Sequence, residues 1–314
     1  MALNRMSFDV NDGEFLAVLG PSGSGKTTLL RIVAGLELAD GGQITLHGKD
    51  VRGTSPQARR VAMIFQNDAL YPHKSVYGNL AFPICNRPSN EVAQAVREMA
   101  KRFGILDLLS AWPRQLSGGE RQRVSLARGM LRDPLTMLFD EPLAHIDAQV
   151  RITLQEEIRT FTAGFGGPVI YVTHDHAEAM ALADRIAVLE AGTIMQCDTP
   201  QRVFDSPANI FVARFLGTPP MNLLTNVPGY RGLFGIRPEH ISLGRDGGDL
   251  RGTVRVTRRI AADTYTDVET EYGVLRVRTV PGVESFASGM EIFLKFRRES
   301  IRHFDRSSGE ALRP

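Results

Sequence analysis

Little in this chain points outside the cell or into a bilayer. Its 314 residues include only two cysteines, Cys85 and Cys197, with no C-x-x-C spacing. That sets aside a disulfide framework and a zinc cluster and suits a reducing compartment; both cysteines read as inert packing residues. No run of about 18 apolar residues occurs, so no membrane-spanning helix is expected. The opening stretch MALNRMSFDVNDGEFLAVLG places acids inside its one apolar run and offers no small-residue cleavage site, so no secretory signal is read and a cytosolic chain is expected. Excess charge of one sign is also missing. With 37 basic and 35 acidic residues the net charge is +2, too balanced to capture nucleic acid by bulk electrostatics. Arginine pairs such as Arg59–Arg60, Arg258–Arg259 and Arg297–Arg298 read as solvated faces.

The length allows two domains of about 100–200 residues each. Residues 14–20 form a short apolar run ending in glycine, and residues 27–35 follow with helical spacing and a closing glycine, which reads as strand, loop, helix. Further apolar runs at 61–65, 135–139 and 169–172 are short and bounded by polar or turn residues, as buried parallel strands are. An α/β domain with a central sheet is predicted. Residues 91–103 repeat apolar side chains at three and four, so a helical lobe is predicted at about 74–133. From Thr199 a proline-broken helical connector leads to alternating runs at 253–257, 274–278 and 292–296, the pattern of a small β-barrel of about eighty residues. The expected division is 1–213, a linker at 214–228, and 229–306.

GPSGSGKT at Gly20–Thr27 matches the phosphate-loop pattern in its proper strand-to-helix context. Gly23 and Gly25 let backbone N–H groups curl around phosphate oxygens, and the helix N-terminus adds favourable dipole. The expected nucleotide-binding residues are therefore Gly20, Pro21, Ser22, Gly23, Ser24, Gly25, Lys26, Thr27 and Thr28, with Lys26 reaching the β- and γ-phosphates and Thr27 holding Mg²⁺. A strand that ends in Asp140 and Glu141 sends the two carboxylates in different directions, one for the metal and one for the attacking water. Acids also cap strands at surfaces; the upstream loop favours the catalytic reading. His174 follows the run 169–172, and Gln66 follows 61–65, both at the strand ends where parallel sheets bind ligands. Gln66 can contact Mg²⁺ or the lytic water without acting as a base. Ser117, Gly118 and Gly119, at a second helix start, can donate N–H groups to a phosphate arriving from outside; with Glu120 they also spell a capping box.

LSGGERQRVSLARG at 116–129, with the motifs above, resembles the ATP-binding cassette (ABC) ATPases, LSGGE standing where that family has LSGGQ. The resemblance implies a P-loop NTPase fold, a RecA-like core with a helical subdomain. It implies that two cassettes pair head to tail, each ATP lying between the phosphate loop of one and the signature glycines of the other. It makes Asp140 the Walker B acid, Glu141 the general base, Gln66 the coupling glutamine, Asp147 the D-loop acid and His174 the switch histidine. The segments QNDALYPHKSVYGNLAF, FVARFLGTPPMNLL and GIRPEHI narrow the likeness to importer ATPases for sugars, glycerol phosphate and related solutes, with a TOBE (OB-like) regulatory domain as the tail. Motors for iron, polyamine or molybdate share the layout, and a non-transport ABC scaffold is a weaker alternative. Such subunits work peripherally on the cytoplasmic side of the membrane, as a homodimer or paired cassette under two integral-membrane permeases. A periplasmic or extracellular solute-binding protein is met only indirectly, and no nucleic acid is bound.

Four departures from the family pattern stand out. The aromatic residue that stacks on adenine, upstream of the phosphate loop in the family, has no counterpart. This implies weaker ATP binding and poor discrimination against GTP, or a start placed too late with its strands cut away. Glu120 replaces glutamine and is expected to point along its helix towards Arg123 or the neighbours of Val124. The D-loop reads Leu143-Ala-His-Ile-Asp147, away from the commoner Leu-Ser-Asn-Leu-Asp. The tail ahead of GIRPEHI is short.

Overall fold

The computed structural model describes residues 2–65, 70–144, 146–227, 229–230, 232–280 and 286–312. They form two compact units, Met1–Pro200 and Gln201–Pro314.

The first unit is built on a six-stranded sheet in the order β4-β5-β6-β1-β7-β8. The strands are β1 (Phe15–Leu19), β4 (Val61–Ile64), β5 (Thr136–Asp140), β6 (Val169–Thr173), β7 (Arg185–Glu190) and β8 (Thr193–Asp198). Every residue of β1, β5 and β6 is buried, which is why these segments read as unbroken apolar runs without alternation: a parallel strand covered on both faces has no polar side. β4 to β7 pair in parallel and β8 closes the edge antiparallel to β7. Strands β7 and β8 were not among the predicted runs. The short hairpin of β2 (Thr45–Leu46) and β3 (Lys49–Asp50) stands apart. Residues 2–10 form no strand, although Leu3, Met6, Phe8 and Val10 pack against the cluster around Leu16, Val18 and Leu29.

Helix α1 (Lys26–Ala34) starts at Gly25 and ends at Gly35, both left-handed. Here a predicted solvated face is corrected. Arg59 is buried and its guanidinium donates to Ile32 O and Val33 O at 2.7 and 2.8 Å, because the last carbonyls of α1 need donors that the helix itself cannot supply. Cys85 is likewise corrected, being exposed; Cys197 is half-buried, with its thiol pushed up by desolvation.

The lobe between β4 and β5 carries α2 (Val76–Ala81), α3 (Ser89–Arg102) and α4 (Gly118–Met130). Val92, Val96 and Ala100 bury one stripe of α3, the spacing read from residues 91–103. Gly129 lets α4 lie on β4: a Cβ there would meet Ile64 Cγ1 at 2.6 Å. After β5 come α5 (Ala148–Ala163) and, between β6 and β7, α6 (His176–Leu182).

The second unit contains α7 (Pro200–Asp205), α8 (Ile210–Phe215) and strands β9 (Asn222–Thr225), β10 (Leu233–Ile236), β11 (Ile241–Gly244), β12 (Leu250–Ile260), β13 (Asp263–Thr270), β14 (Gly273–Thr279), β15 (Glu291–Phe296) and β16 (Arg302–Phe304). One sheet has the order β16-β10-β9 and the other β11-β15-β12-β13-β14. The second curls until its edge strands β11 and β14 touch, a small barrel whose core holds Val254, Val268, Val277, Ile292 and Leu294. Asn222 stitches β9 to β14 by accepting from Arg276 N–H and donating to its carbonyl.

Arg237, from the GIRPEHI segment, is the largest fully buried side chain among the described residues. Its guanidinium donates to Phe204 O and Leu216 O and lies 3.6 Å over the Phe204 ring. Burial pulls its pKa down to about 10. Replacing it strands the buried Leu216 carbonyl and the partly buried Phe204 carbonyl, so Arg237→Met is expected to cost about 2–4 kcal/mol, read as a lowered midpoint of urea unfolding followed by circular dichroism.

Candidate functional site

The carboxyl ends of β1, β5 and β6 lie at one level, because Leu19 pairs with Thr173 and Asp140 with Val172. The residues just beyond, Gly20, Glu141 and His174, therefore leave the sheet together. Gly20 is followed by a loop with Gly23 at φ +80° and Gly25 at φ +104°; side chains avoid this left-handed region, and the loop depends on it. It is braced by the β7–β8 turn, where Gly192 N–H donates to Ser24 O at 2.9 Å.

Lys26 is buried and its ammonium donates to Gly20 O and Pro21 O at 2.8 and 3.0 Å. Desolvation lowers its pKa, while Glu141 and Asp140 pull the other way. Thr27 Oγ1 donates to Asp140 Oδ1 at 3.0 Å. Asp140 is itself buried, and desolvation raises its pKa against the Thr27 hydrogen bond, which lowers it. Glu141 sits at φ +46°, an uncommon conformation for a side-chain-bearing residue and a feature that clusters at working sites. Its N–H donates to Val172 O and its Oε2 lies 2.8 Å from His174 Nδ1. The ring is largely solvent-facing and the carboxylate is mostly covered.

The structure thus brings Lys26, Thr27, Asp140, Glu141 and His174 together. Pro21, Ser22, Gly23, Ser24 and Thr28 belong to the same loop and helix start, with Ser24 buried. Gln66 lies outside the described residues. Asp147 is exposed at the start of α5 and makes no side-chain cap bond. Ser117, Gly118 and Gly119 begin α4 elsewhere: nothing from the phosphate loop lies within 4 Å of where a Cβ on either glycine would stand. Glu120 corrects an expectation. Its carboxylate turns back and accepts from Ser117 N–H at 2.7 Å and Ser117 Oγ at 2.9 Å, and these bonds lower its pKa, with Arg123 only a minor contributor. The first-turn donors of the helix win over the arginine farther along it.

One network escaped the motif reading. Glu178, buried on α6, accepts from Tyr171 OH at 3.0 Å and Thr173 Oγ1 at 2.8 Å, and Thr173 Oγ1 accepts from Asp175 N–H at 3.0 Å. The backbone on both sides of His174 is held from beneath. The signal was an acid four residues after His174, one turn along the following helix.

Thr27 and Asp140 offer hard oxygen donors at the phosphate loop, which fits Mg²⁺. No group of three or more His, Cys, Asp or Glu residues suited to a metal occurs among the described residues, and Mg²⁺ takes only one or two protein groups beside phosphates and water.

Because desolvation raises Asp140 in the folded chain, the unfolded chain gives up this proton first as pH climbs from about 3.9. Asp140 therefore weakens folding progressively as pH rises from the unfolded-chain value through its raised one. Asp140→Asn removes the charge and keeps an acceptor for Thr27. It is expected to stabilise the nucleotide-free chain by roughly 1 kcal/mol, raising Tm by about 2–4 °C, while nucleotide hydrolysis falls; calorimetry beside an ATPase assay checks both.

Comparison with known proteins shows the family. Residues 3–144 match the family model described as ABC transporter, and residues 234–304 match that of the TOBE domain. The trehalose/maltose import ATP-binding protein MalK of Thermococcus litoralis is 39% identical over 99% of this chain and 95% of its own. The sn-glycerol-3-phosphate import ATP-binding protein UgpC of Rhodopseudomonas palustris is 44% identical over 84% of this chain and 78% of its own. Among solved structures, the ATP-binding cassette MJ0796, dimeric in a post-hydrolysis state with ADP and Pi, superposes with a TM-score of 0.60 at 26% identity, covering 63% of this chain and 90% of that one. The chain belongs to the ABC transporter ATP-binding subunits and is an ATPase of that family.

Proposed function

We propose that this chain is the motor of an importer for a sugar or glycerol phosphate, working as one of two cassettes that close head to tail on ATP. The observation that carries the reading is the Glu141–His174 contact of 2.8 Å, set beside the Thr27–Asp140 pair, with no atom of the chain's own phosphate loop within 4 Å of a Cβ on Gly118 or Gly119. A hydrolytic centre and a phosphate-binding helix start that do not meet within one chain are complementary halves of a site shared by two. C₂ pairing then gives two composite sites. The solute class rests on what the relatives are named for, trehalose/maltose and sn-glycerol-3-phosphate import.

In the proposed site the N–H groups of Gly20–Thr28 cradle the phosphates and Lys26 turns from Gly20 O and Pro21 O to the β- and γ-phosphates. Thr27 and Asp140 would hold Mg²⁺, with Gln66 as a further ligand. When bound, Mg²⁺ neutralises charge developing on the phosphate oxygens. Glu141 takes the proton of the attacking water, and His174 fixes the direction of that carboxylate. Asp147 and the N–H groups of Ser117, Gly118 and Gly119 serve the site of the facing copy. Residues 1–213 act as the ATPase domain, its helical subdomain about 74–133, and residues 229–306 as the regulatory barrel, joined by 214–228.

No helix among the described residues is long and apolar enough to cross a membrane. On this reading the chain works peripherally on the cytoplasmic side beneath two integral-membrane permeases, with an external solute-binding protein beyond them. Closure that favours a permease conformation must be favoured by it in return, to the same factor.

Glu141→Gln is expected to keep ATP binding, lower turnover about 10²–10⁴-fold, and trap an ATP-dependent dimer in size-exclusion chromatography with light scattering. Lys26→Ala is expected to lose both binding and dimer. Full turnover by an isolated monomer, indifferent to Ser117 and Glu141 substitutions, would count decisively against the reading.

A further inference from the structure

Arg151 lies in the first turn of α5, and its N–H donates to Asp147 O at 2.8 Å. Its side chain turns back toward the helix start, the direction helical side chains favour. One end of the guanidinium donates to Ile146 O at 3.0 Å and the other to Asp175 Oδ2 at 3.3 Å. Those partners belong to different loops. Ile146 precedes Asp147 in the segment that leaves β5, and Asp175 follows His174 in the segment that leaves β6.

From this bridging fork we infer that Arg151 is a positioning residue coupling the Asp147 segment to the loop of His174, so that a displacement of either moves both. The inference rests on the composite-site reading above, because Asp147, exposed and making no cap bond, faces outward from this chain.

The Asp175 end is stiff. Its other oxygen, Oδ1, accepts from Ala177 N–H at 2.8 Å and Glu178 N–H at 3.2 Å, capping α6, and its own N–H is held by Thr173 Oγ1. Glu178 holds Thr173 and Tyr171 in turn. Between Thr173 and Asp175 the chain has little freedom, so a shift at Asp175 is passed to His174 and on to Glu141, 2.8 Å from its ring. The Ile146 end is a backbone carbonyl beside the residue that meets the facing copy.

Arginine suits the task because its rigid fork reaches two acceptors in different directions, whereas a lysine ammonium on a flexible stem is a point donor. Arg151 Nε is buried without a hydrogen-bond partner among the described residues. The group is therefore held at the two ends of its fork and is not fully satisfied, an arrangement in which a small change of geometry at one end is felt at the other. Docking of a second copy against Asp147 would in this way reach the Glu141–His174 pair without any direct contact to it.

The test is steady-state ATPase on the full chain for Arg151→Gln, Arg151→Lys, Asp175→Asn and the double variant Arg151→Gln/Asp175→Asn. A coupling residue of this kind is expected to lower kcat about tenfold in Arg151→Gln and Asp175→Asn, with KM for ATP changed less than about twofold. The double variant is expected to be no slower than the slower single one, since both break one link, and Arg151→Lys to recover part of the rate. Asp175→Asn keeps the capping oxygen of α6 and so reads the link even where Arg151→Gln lowers the melting temperature. A kcat within about twofold of the parent in these variants, losses that multiply in the double variant, or KM rising in step with the loss of kcat would each overturn the inference. ATP-dependent dimerisation of Glu141→Gln alone, set beside hydrolysis by Arg151→Gln, separates the two readings. If Glu141→Gln alone fails to dimerise on ATP, the composite site is wrong. If it dimerises while Arg151→Gln hydrolyses normally in the parent background, only the coupling is wrong.

Discussion

The register of three parallel strands is the constraint on which the site depends. β1, β5 and β6 are covered on both faces and pair so that Leu19, Asp140 and Thr173 end at one edge. A buried parallel sheet has no polar face to carry chemistry, so reactive groups gather where the strands stop. A slip of one residue would reverse the side chains of a strand. Asp140 would then leave Thr27, and Glu141 would leave His174. The apolar packing of Phe15, Phe139 and Tyr171, whose rings lie 5.5 and 5.6 Å apart across neighbouring strands, therefore fixes the chemistry as firmly as the polar residues do.

That packing also sets the charge balance. Lys26 and Asp140 both lose solvation, and in each the direction of the pKa shift is set by burial and opposed by neighbours. The site holds its charged groups in a strained compromise, including a glutamate at positive φ. Such an arrangement weakens the empty protein and favours a polyanion that can engage Lys26 and the loop amides together. Stability and function pull apart at Asp140 for this reason.

Much of this could be read from residue order because the signals were local. The phosphate loop, the Asp140–Glu141 strand end and His174 each carry their chemistry within a few residues of an apolar run, and α3 declares itself by spacing alone. What escaped depended on partners distant in sequence. Arg59 looked like half of a charged surface pair, yet it caps α1 from 27 residues away. Glu178 and Arg151 were ordinary helical charges until folding brought them under the His174 loop. β7 carries Leu189, whose carbonyl would lie 2.3 Å from a Cβ on Gly20, so the glycine that opens the phosphate loop is required by a strand the motif does not mention. Asn222 and Arg276, joining two sheets across 54 residues, belong to the same class: no window of sequence contains both.

Glu120 shows how a local rule and a shared site compete for the same atoms. As a capping residue its charge is well placed, since a helix N-terminus favours an anion and Ser117 supplies two donors. Those donors are the ones that a phosphate from a facing copy would use on the reading proposed here. The phosphate must then displace a carboxylate already bonded to Ser117, or share the helix start through the N–H groups of Gly118 and Gly119, where Gly119 faces open space. A glutamine could accept the same Ser117 bonds without a full negative charge beside the incoming γ-phosphate. Glutamate therefore makes the single chain better capped and the two-copy site harder to close, so α4 is held more firmly before nucleotide arrives than it would be with the commoner amide.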